Sequence, residues 1–187
     1  MTTPIRADAT ASVLLIVDVQ ERLAAAMAAT DRERVCTTAA LLARSAGELD
    51  IPVIVTRQYP RGLGDTDAGL AEALPDWSTV LDKTSFAAPD DPAIDEALRM
   101  TARQQVVVCG MEAHVCVLQS ALALLDRGYS VLVVDDGVCS RRPEHAASAH
   151  ARLHAAGATV MCGESVVFEW LRDAAHPAFR TLSGLIR

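Results

Sequence analysis

The feature that most constrains this chain is a repeated change of period. Short β-branched runs alternate with longer stretches whose apolar residues recur at three- and four-residue steps. Val13–Val17, Pro52–Thr56, Thr79–Leu81, Val106–Cys109, Val131–Asp135 and Thr159–Met161 read as six strands, the fifth closing in Asp136-Gly137 and the sixth at an edge. Runs such as VLLIV are apolar throughout rather than alternating, as strands buried on both faces are. Between them, Glu21–Leu49 reads as helix, broken near Thr30-Asp31, where Thr30 can act as an N-cap. The Gly- and Pro-punctuated stretch Arg57–Pro75 reads as a long loop with at most a short helix. Asp91–Thr101, with Pro92 in its first turn, Ala113–Leu125 and Pro143–Ala156 read as further helices. Two short ones, Val166–Ala174 and Ala178–Leu185, follow. The pattern predicts an α/β three-layer sandwich: a six-stranded, mainly parallel sheet with helices on both faces. No linker, repeat or low-complexity segment divides it, so one domain is expected over residues 1–187.

Composition narrows the function classes. At 187 residues and 51% hydrophobic, the chain can bury a sizeable core. Its net charge of −7 and the lack of any Lys/Arg cluster beyond Arg141-Arg142 argue against a nucleic-acid surface. No apolar run approaches the ~20 residues of a membrane span. Val13–Val17 is too short for an export signal. The five cysteines, 36, 109, 116, 139 and 162, are odd in number and contain no CxxC pair, which predicts reduced thiols in a cytoplasmic protein.

A parallel sheet also says where chemistry belongs. Ligands bind beyond the carboxyl ends of the strands, near the point where strand order reverses. Three polar residues stand at such ends: Asp18 after VLLIV, Lys83 after Val80-Leu81-Asp82, and Cys116 after Val106–Met111. Cys116 falls in the first turn of a helix, where unpaired N–H groups and the positive dipole end favour a thiolate. A carboxylate, an ammonium and a thiol in one crevice are the parts of a nucleophilic hydrolase, the lysine favouring the thiolate and the carboxylate moving its proton. Each residue also has a plainer reading: a strand-ending or helix-capping Asp, a solvated Lys, a buried core Cys.

The segments LLIVDVQ (14–20), DKTSF (82–86) and GMEAHVCV (110–117) occur in the order and spacing of the isochorismatase-like cysteine hydrolases, which the chain resembles from about Ala11 to its C-terminus. The stretch Glu164–Glu169 through His176-Pro177 is similar to the isochorismatase domain-containing proteins, a group poorly defined in substrate. The resemblance implies a catalytic triad of Asp18, Lys83 and Cys116. It also implies a non-proline cis peptide at Met111–Glu112, whose purpose is to turn the Glu112 N–H toward an oxyanion hole shared with the Cys116 N–H. Gln20 is expected at the same crevice, or as a helix-entry hydrogen bond. Tyr59 and Phe86 are expected to line a narrow apolar pocket as substrate-binding residues, with a core role open for Phe86.

The departures are informative. Nicotinamidases of this superfamily carry an Asp-x-His metal motif after the second strand; this chain reads Thr56-Arg57-Gln58-Tyr59-Pro60 there, so no metal and no cofactor are expected. Isochorismatases proper need no cysteine nucleophile, and Cys116 points instead to acyl transfer. His150 and His154 share a helix face at i, i+4 but lack a third ligand, which favours a solvated face. His114 reads as a packing or interface residue.

The expectation is a cysteine-dependent hydrolase of a small molecule, cleaving an amide-type C–N bond through a thioester. The alternatives are a thiol redox protein using Cys116 and a non-catalytic oligomeric binding module. Phe168, Trp170, Leu171, Phe179, Leu182, Leu185 and Ile186 cluster in a chain with 4% aromatics, which predicts an exposed patch and a homo-oligomer, the competitor being a segment packed on its own sheet.

Overall fold

The computed structural model describes residues 5–186; residues 1–4 and 187 of the expected domain lie outside the described residues. Six strands form one sheet: β1 (Ser12–Val17), β2 (Val53–Gln58), β3 (Thr79–Lys83), β4 (Gln105–Met111), β5 (Ser130–Cys139) and β6 (Thr159–Met161). Their order is β3-β2-β1-β4-β5-β6, and every pairing is parallel. Strand order therefore reverses between β1 and β4. The connections carry α1 (Glu21–Ala25), α2 (Ala29–Glu48), α3 (Pro60–Leu63), α4 (Ala68–Ala71), α5 (Pro92–Met100), α6 (Leu118–Asp126), α7 (Pro143–Ala155), α8 (Gly163–Leu171) and α9 (Phe179–Leu185).

The apolar runs build two cores, one on each sheet face. Leu14, Ile16, Val107 and Leu132 pack against α2, α8 and α9; Val13, Leu15, Val17, Val106 and Val108 pack against α5, α6 and α7. All six residues of β1 are inaccessible to solvent. Each such Val, Leu or Ile stabilises the fold by about 1.5–3 kcal/mol relative to leaving it exposed.

Several expectations are corrected. Thr30 does not cap: α2 starts at Ala29 after Ala28, and Thr30 sits inside its first turn. The loop Arg57–Pro75 contributes the last residues of β2 and two four-residue helices, the second capped by the Asp67 side chain. Strand β5 does not close at Asp136-Gly137 but runs to Cys139, because a register shift opposite Val108/Gly110 accommodates that pair. Asp136 then accepts from the Gly163 N–H at 2.7 Å and starts α8. The C-terminal apolar cluster is largely internal. Trp170, Leu171 and Leu182 are buried, and the Trp170 indole donates to Ser12 Oγ at 3.0 Å, inside the first core. The aromatic segment packs on its own sheet because β1 and α2 leave a face that needs covering.

Candidate active site

The strand ends beside the reversal point are where the backbone departs from ordinary geometry. Asp18 has φ 52, Tyr59 φ 39 and Gly110 φ 129, at the ends of β1, β2 and β4. Asp18 tolerates the left-handed region better than most residues, and there it ends β1 abruptly. At Gly110 a Cβ would lie 1.9 Å from the Val17 carbonyl oxygen, so only glycine lets β4 pass this close to β1. The Met111–Glu112 peptide that follows is cis. The chain then enters a π-helical turn, Ala113–Val117, that continues into α6.

These ends bring Asp18, Lys83 and Cys116 together. Lys83, the last residue of β3 rather than a residue beyond it, reaches under β2 and donates to Asp18 Oδ2 at 2.7 Å. Both side chains are 0% exposed. The Asp18 Oδ1 accepts from Thr56 Oγ1 at 2.7 Å. Lys83 Nζ also donates to Gln58 Oε1 at 2.6 Å and to the Ser85 carbonyl at 3.2 Å, so three acceptors satisfy its three N–H bonds. Sequence reasoning gives Thr56 and Gln58 no role. The only signal for them is the polar end Thr56-Arg57-Gln58 of a strand that otherwise reads as apolar.

The Cys116 thiol lies beside both charged groups and is 6% exposed. Here the expected thiolate is corrected. Burial, then the Asp18 carboxylate, pushes the thiol up to about 12, and Lys83 opposes this only in part. Burial and the carboxylate both favour the protonated thiol over the thiolate. Burial likewise raises Cys36 to about 11 and Cys109 and Cys139 to about 12, whereas Cys162 is exposed.

The flanking residues divide. Gln20 is wholly buried and stands at the N-cap position of α1, but its side chain makes no capping hydrogen bond. Its amide donates to the carbonyls of Gln58 and Gly64, at 3.1 and 2.7 Å, and accepts from the Gln58 N–H at 2.7 Å. Both amide hydrogens are spent inside the protein, so Gln20 braces the crevice wall instead of facing a ligand. Tyr59 and Phe86 are more than half exposed, which removes the core reading for Phe86. Tyr59 joins Pro60, Arg61, Asp82, Thr84 and Asp91 around a cavity of ≈ 320 Å³ beside Lys83, and Phe86 is not part of its lining. The Glu112 side chain points away from this chemistry. Burial alone raises its carboxyl, but hydrogen bonds from the Arg141 N–H and guanidinium outweigh it and hold it below its ordinary value. His114 packs, as expected, with Nδ1 2.9 Å from Ser140 Oγ and its ring 4.6 Å from that of His145. His154 is exposed, while the Nε2 of His150 is buried. Among the described residues no group of three His, Cys, Asp or Glu is arranged to hold a metal ion, and no helix is long and apolar enough to cross a membrane.

Comparison with known proteins agrees with this architecture. The sequence model of the isochorismatase domain matches residues 12–165. Isochorismatase domain-containing protein 2 of Xenopus laevis is 34% identical over 176 residues, covering 94% of this chain and 83% of that protein. The structure of MAR1 ribonuclease from Caenorhabditis elegans superposes with a TM-score of 0.90 at 36% identity, covering 97% of this chain and 92% of that one. YcaC from Pseudomonas aeruginosa, solved with hexane-2,5-diol and covalent acrylamide, gives a TM-score of 0.89 at 27% identity over 99% and 93% of the two chains. With its all-parallel sheet, its strand-end site and a match over most of its length, the chain belongs to the isochorismatase domain family of hydrolases.

Proposed function

We propose that the protein is a cysteine hydrolase of a small amide, with Asp18, Lys83 and Cys116 as its catalytic residues. One observation carries this reading: a fully buried carboxylate–ammonium pair, 2.7 Å apart, beside a buried thiol at the reversal point of the sheet. Burying two charges costs several kcal/mol per ion before their attraction is counted, and an apolar pair serves folding as well. A retained buried pair in a cleft therefore favours chemistry.

Asp18 takes the thiol proton as substrate arrives, and Cys116 Sγ attacks the amide carbonyl carbon. The Glu112 and Cys116 N–H groups, at the start of the helical turn, hold the negative oxygen. Asp18 returns the proton to the departing amine, leaving a thioester. Water, deprotonated by Asp18, adds to the thioester carbonyl and displaces the Cys116 sulfur, which takes the proton back from Asp18 as the acid is released. Lys83 holds Asp18 in place and offsets its charge. Tyr59 lines the cavity beside Lys83, and Gln20 supports the wall from behind. The covalent acrylamide of the YcaC structure is consistent with a nucleophile in that relative that reaches a small electrophile carrying an amide.

The other classes fare worse. Peroxide-reacting thiols are accessible and easily ionised, and Cys116 is neither. Cutting RNA, the activity that the name of the worm protein gives it, calls for a basic surface, and this chain carries −7. The five free cysteines fit a reducing, cytoplasmic setting. A panel of primary amides and esters, run with wild type and Cys116→Ala, tests the function: turnover that depends on Cys116 is expected, and turnover surviving the substitution contradicts it.

Self-association belongs to the same proposal, at a different surface from the C-terminal one. Strand β3 is an edge, and Val80 on it and Trp77 and Met100 beside it are 40, 57 and 74% exposed. A second copy of this chain is the occupant we assign. Light scattering is expected to give a multiple of the 19.9 kDa chain, reduced by Trp77→Arg; a wild-type mass of 19.9 kDa overturns it.

A further inference from the structure

We infer that Gln58 is a positioning residue for Lys83, and that Gln20 is what holds Gln58 in register. This rests on the catalytic reading above for its consequence, though not for its geometry. Strand β1 ends at Val17, paired with Thr56, and the chain then turns at Asp18. Two residues further along β2, the N–H and C=O of Gln58 have lost the neighbouring strand that would pair them. The Gln20 carboxamide replaces that strand: its oxygen takes the Gln58 N–H at 2.7 Å and its nitrogen donates to the Gln58 carbonyl at 3.1 Å. One side chain thus completes the ladder across the turn that exposes the Asp18 carboxylate.

The Gln58 side chain is itself fixed in one sense. Its Nε2 donates to the Thr84 carbonyl at 2.9 Å, which leaves Oε1 for the Lys83 ammonium at 2.6 Å. The reverse orientation sets donor against donor at Lys83 and acceptor against acceptor at Thr84. With Asp18 and the Ser85 carbonyl, Gln58 completes the set of three acceptors on Nζ. These bonds fix where the ammonium sits beside the Cys116 sulfur, and Asp18 is the neighbouring group that can accept the thiol proton.

Gln58→Glu and Gln58→Met test this. A protonated Glu carboxyl keeps both bonds of the amide, its C=O toward Lys83 and its O–H toward Thr84. Once ionised it loses the bond to Thr84 and competes with Asp18 for the ammonium. The probe is acrylamide, which adds to a thiol by forming an S–C bond while the proton ends on the adjacent carbon. The adduct on Cys116 is followed by peptide mass mapping. The Glu variant is expected to match wild type at low pH and to fall behind by at least ~tenfold as pH rises, the equivalent of one pKa unit. The Met variant is expected to stay slow throughout. Profiles that run parallel to wild type overturn the proposal. Nitrogen-15 NMR of the Lys83 ammonium gives a readout free of the catalytic reading. A slowly exchanging signal is expected in wild type, lost in Gln58→Met and kept by Gln58→Glu at low pH. A signal unchanged in Gln58→Met also overturns it. Wild type that forms no adduct at Cys116 sinks the catalytic reading and leaves the ammonium signal to decide the role of Gln58.

Discussion

The two halves of the sheet meet at the reversal between β1 and β4, and they equip the site by different means. The β1-β2-β3 half supplies side chains: Asp18, Thr56, Gln58, Lys83 and, behind them, Gln20, joined by hydrogen bonds of 2.6–3.1 Å. The β4-β5-β6 half supplies backbone: Gly110 against Val17, the turn through Glu112, and the helical start that presents Cys116. The first half sets where charge and protons sit. The second sets where the sulfur and the N–H donors sit. Substitutions in the two halves are therefore expected to differ in kind: loss of structure on the β4 side, altered pH dependence and rate on the β1 side.

The largest expected effect is on the backbone side. Gly110→Ala places a Cβ against the Val17 carbonyl at φ 129, with no flexible side chain to yield. A loss of at least ~3 kcal/mol of stability is expected, since strain and overpacking act together. Chemical denaturation measures it, and a midpoint equal to wild type breaks the contrast. Lys83→Met comes next. It strands the Asp18 carboxylate, buried and without a cation, and removing one partner of a buried pair costs about 3–5 kcal/mol. It also removes the cation that opposes the rise of the Cys116 thiol. The reaction of Cys116 with acrylamide is then expected to slow at every pH; a rate at or above wild type contradicts the assignment. Thr56→Val is smaller. It deletes one hydrogen bond to a charged group, worth about 1.5–3 kcal/mol, at nearly constant shape. It is expected to shift the pH profile of turnover while leaving a folded protein by circular dichroism.

The most general effect is alkaline destabilisation, small near pH 9 and growing as pH rises. Cys36, Cys109, Cys116 and Cys139 are raised in the fold above an ordinary value near 9, to about 11 for the first and about 12 for the others. The folded chain keeps these protons after the unfolded chain has lost them. Their contribution is therefore whole below about pH 9 and declines as pH rises toward 11–12. The melting temperature is expected to fall across that window, less steeply in Cys139→Ala than in wild type. In the native protein, limiting iodoacetamide at neutral pH is expected to reach the exposed Cys162 before Cys116.

The fold and the three central residues are legible in the sequence because both depend on order along the chain. Strands buried on both faces write themselves as VLLIV and VVVC, and residues that directly follow such runs land at one end of a parallel sheet. What depends on neighbours from other segments is not legible. Thr56 and Gln58 look like the fraying end of a strand, since their partners Asp18 and Lys83 are 38 and 25 residues away. Gln20 can be placed at the crevice, but its orientation toward Gln58 follows only from where β1 stops. The thiolate expected of Cys116 takes the helix start and Lys83 into account and leaves out burial and Asp18, which dominate. The C-terminal aromatics read as exposed because composition carries no record of which side chain lies on top; Trp170 is held inside by Ser12, 158 residues earlier.

Asp18 as the base for Cys116 is the central claim, and Asp18→Asn isolates it because two effects oppose each other there. Removing the carboxylate removes a charge that raises the thiol, so on electrostatics alone the thiolate forms more readily. Removing it also removes the proton acceptor, and general-base assistance is worth ~10²–10⁴-fold. The decisive measurement is the rate of acrylamide addition to Cys116 at neutral pH, in wild type and Asp18→Asn, with Cys162 replaced by Ser in both. A fall of at least ~100-fold in the Asn variant, the low end of general-base assistance, is the predicted result. An unchanged or faster reaction contradicts the claim: Cys116 then ionises by itself and Asp18 serves only to fix Lys83.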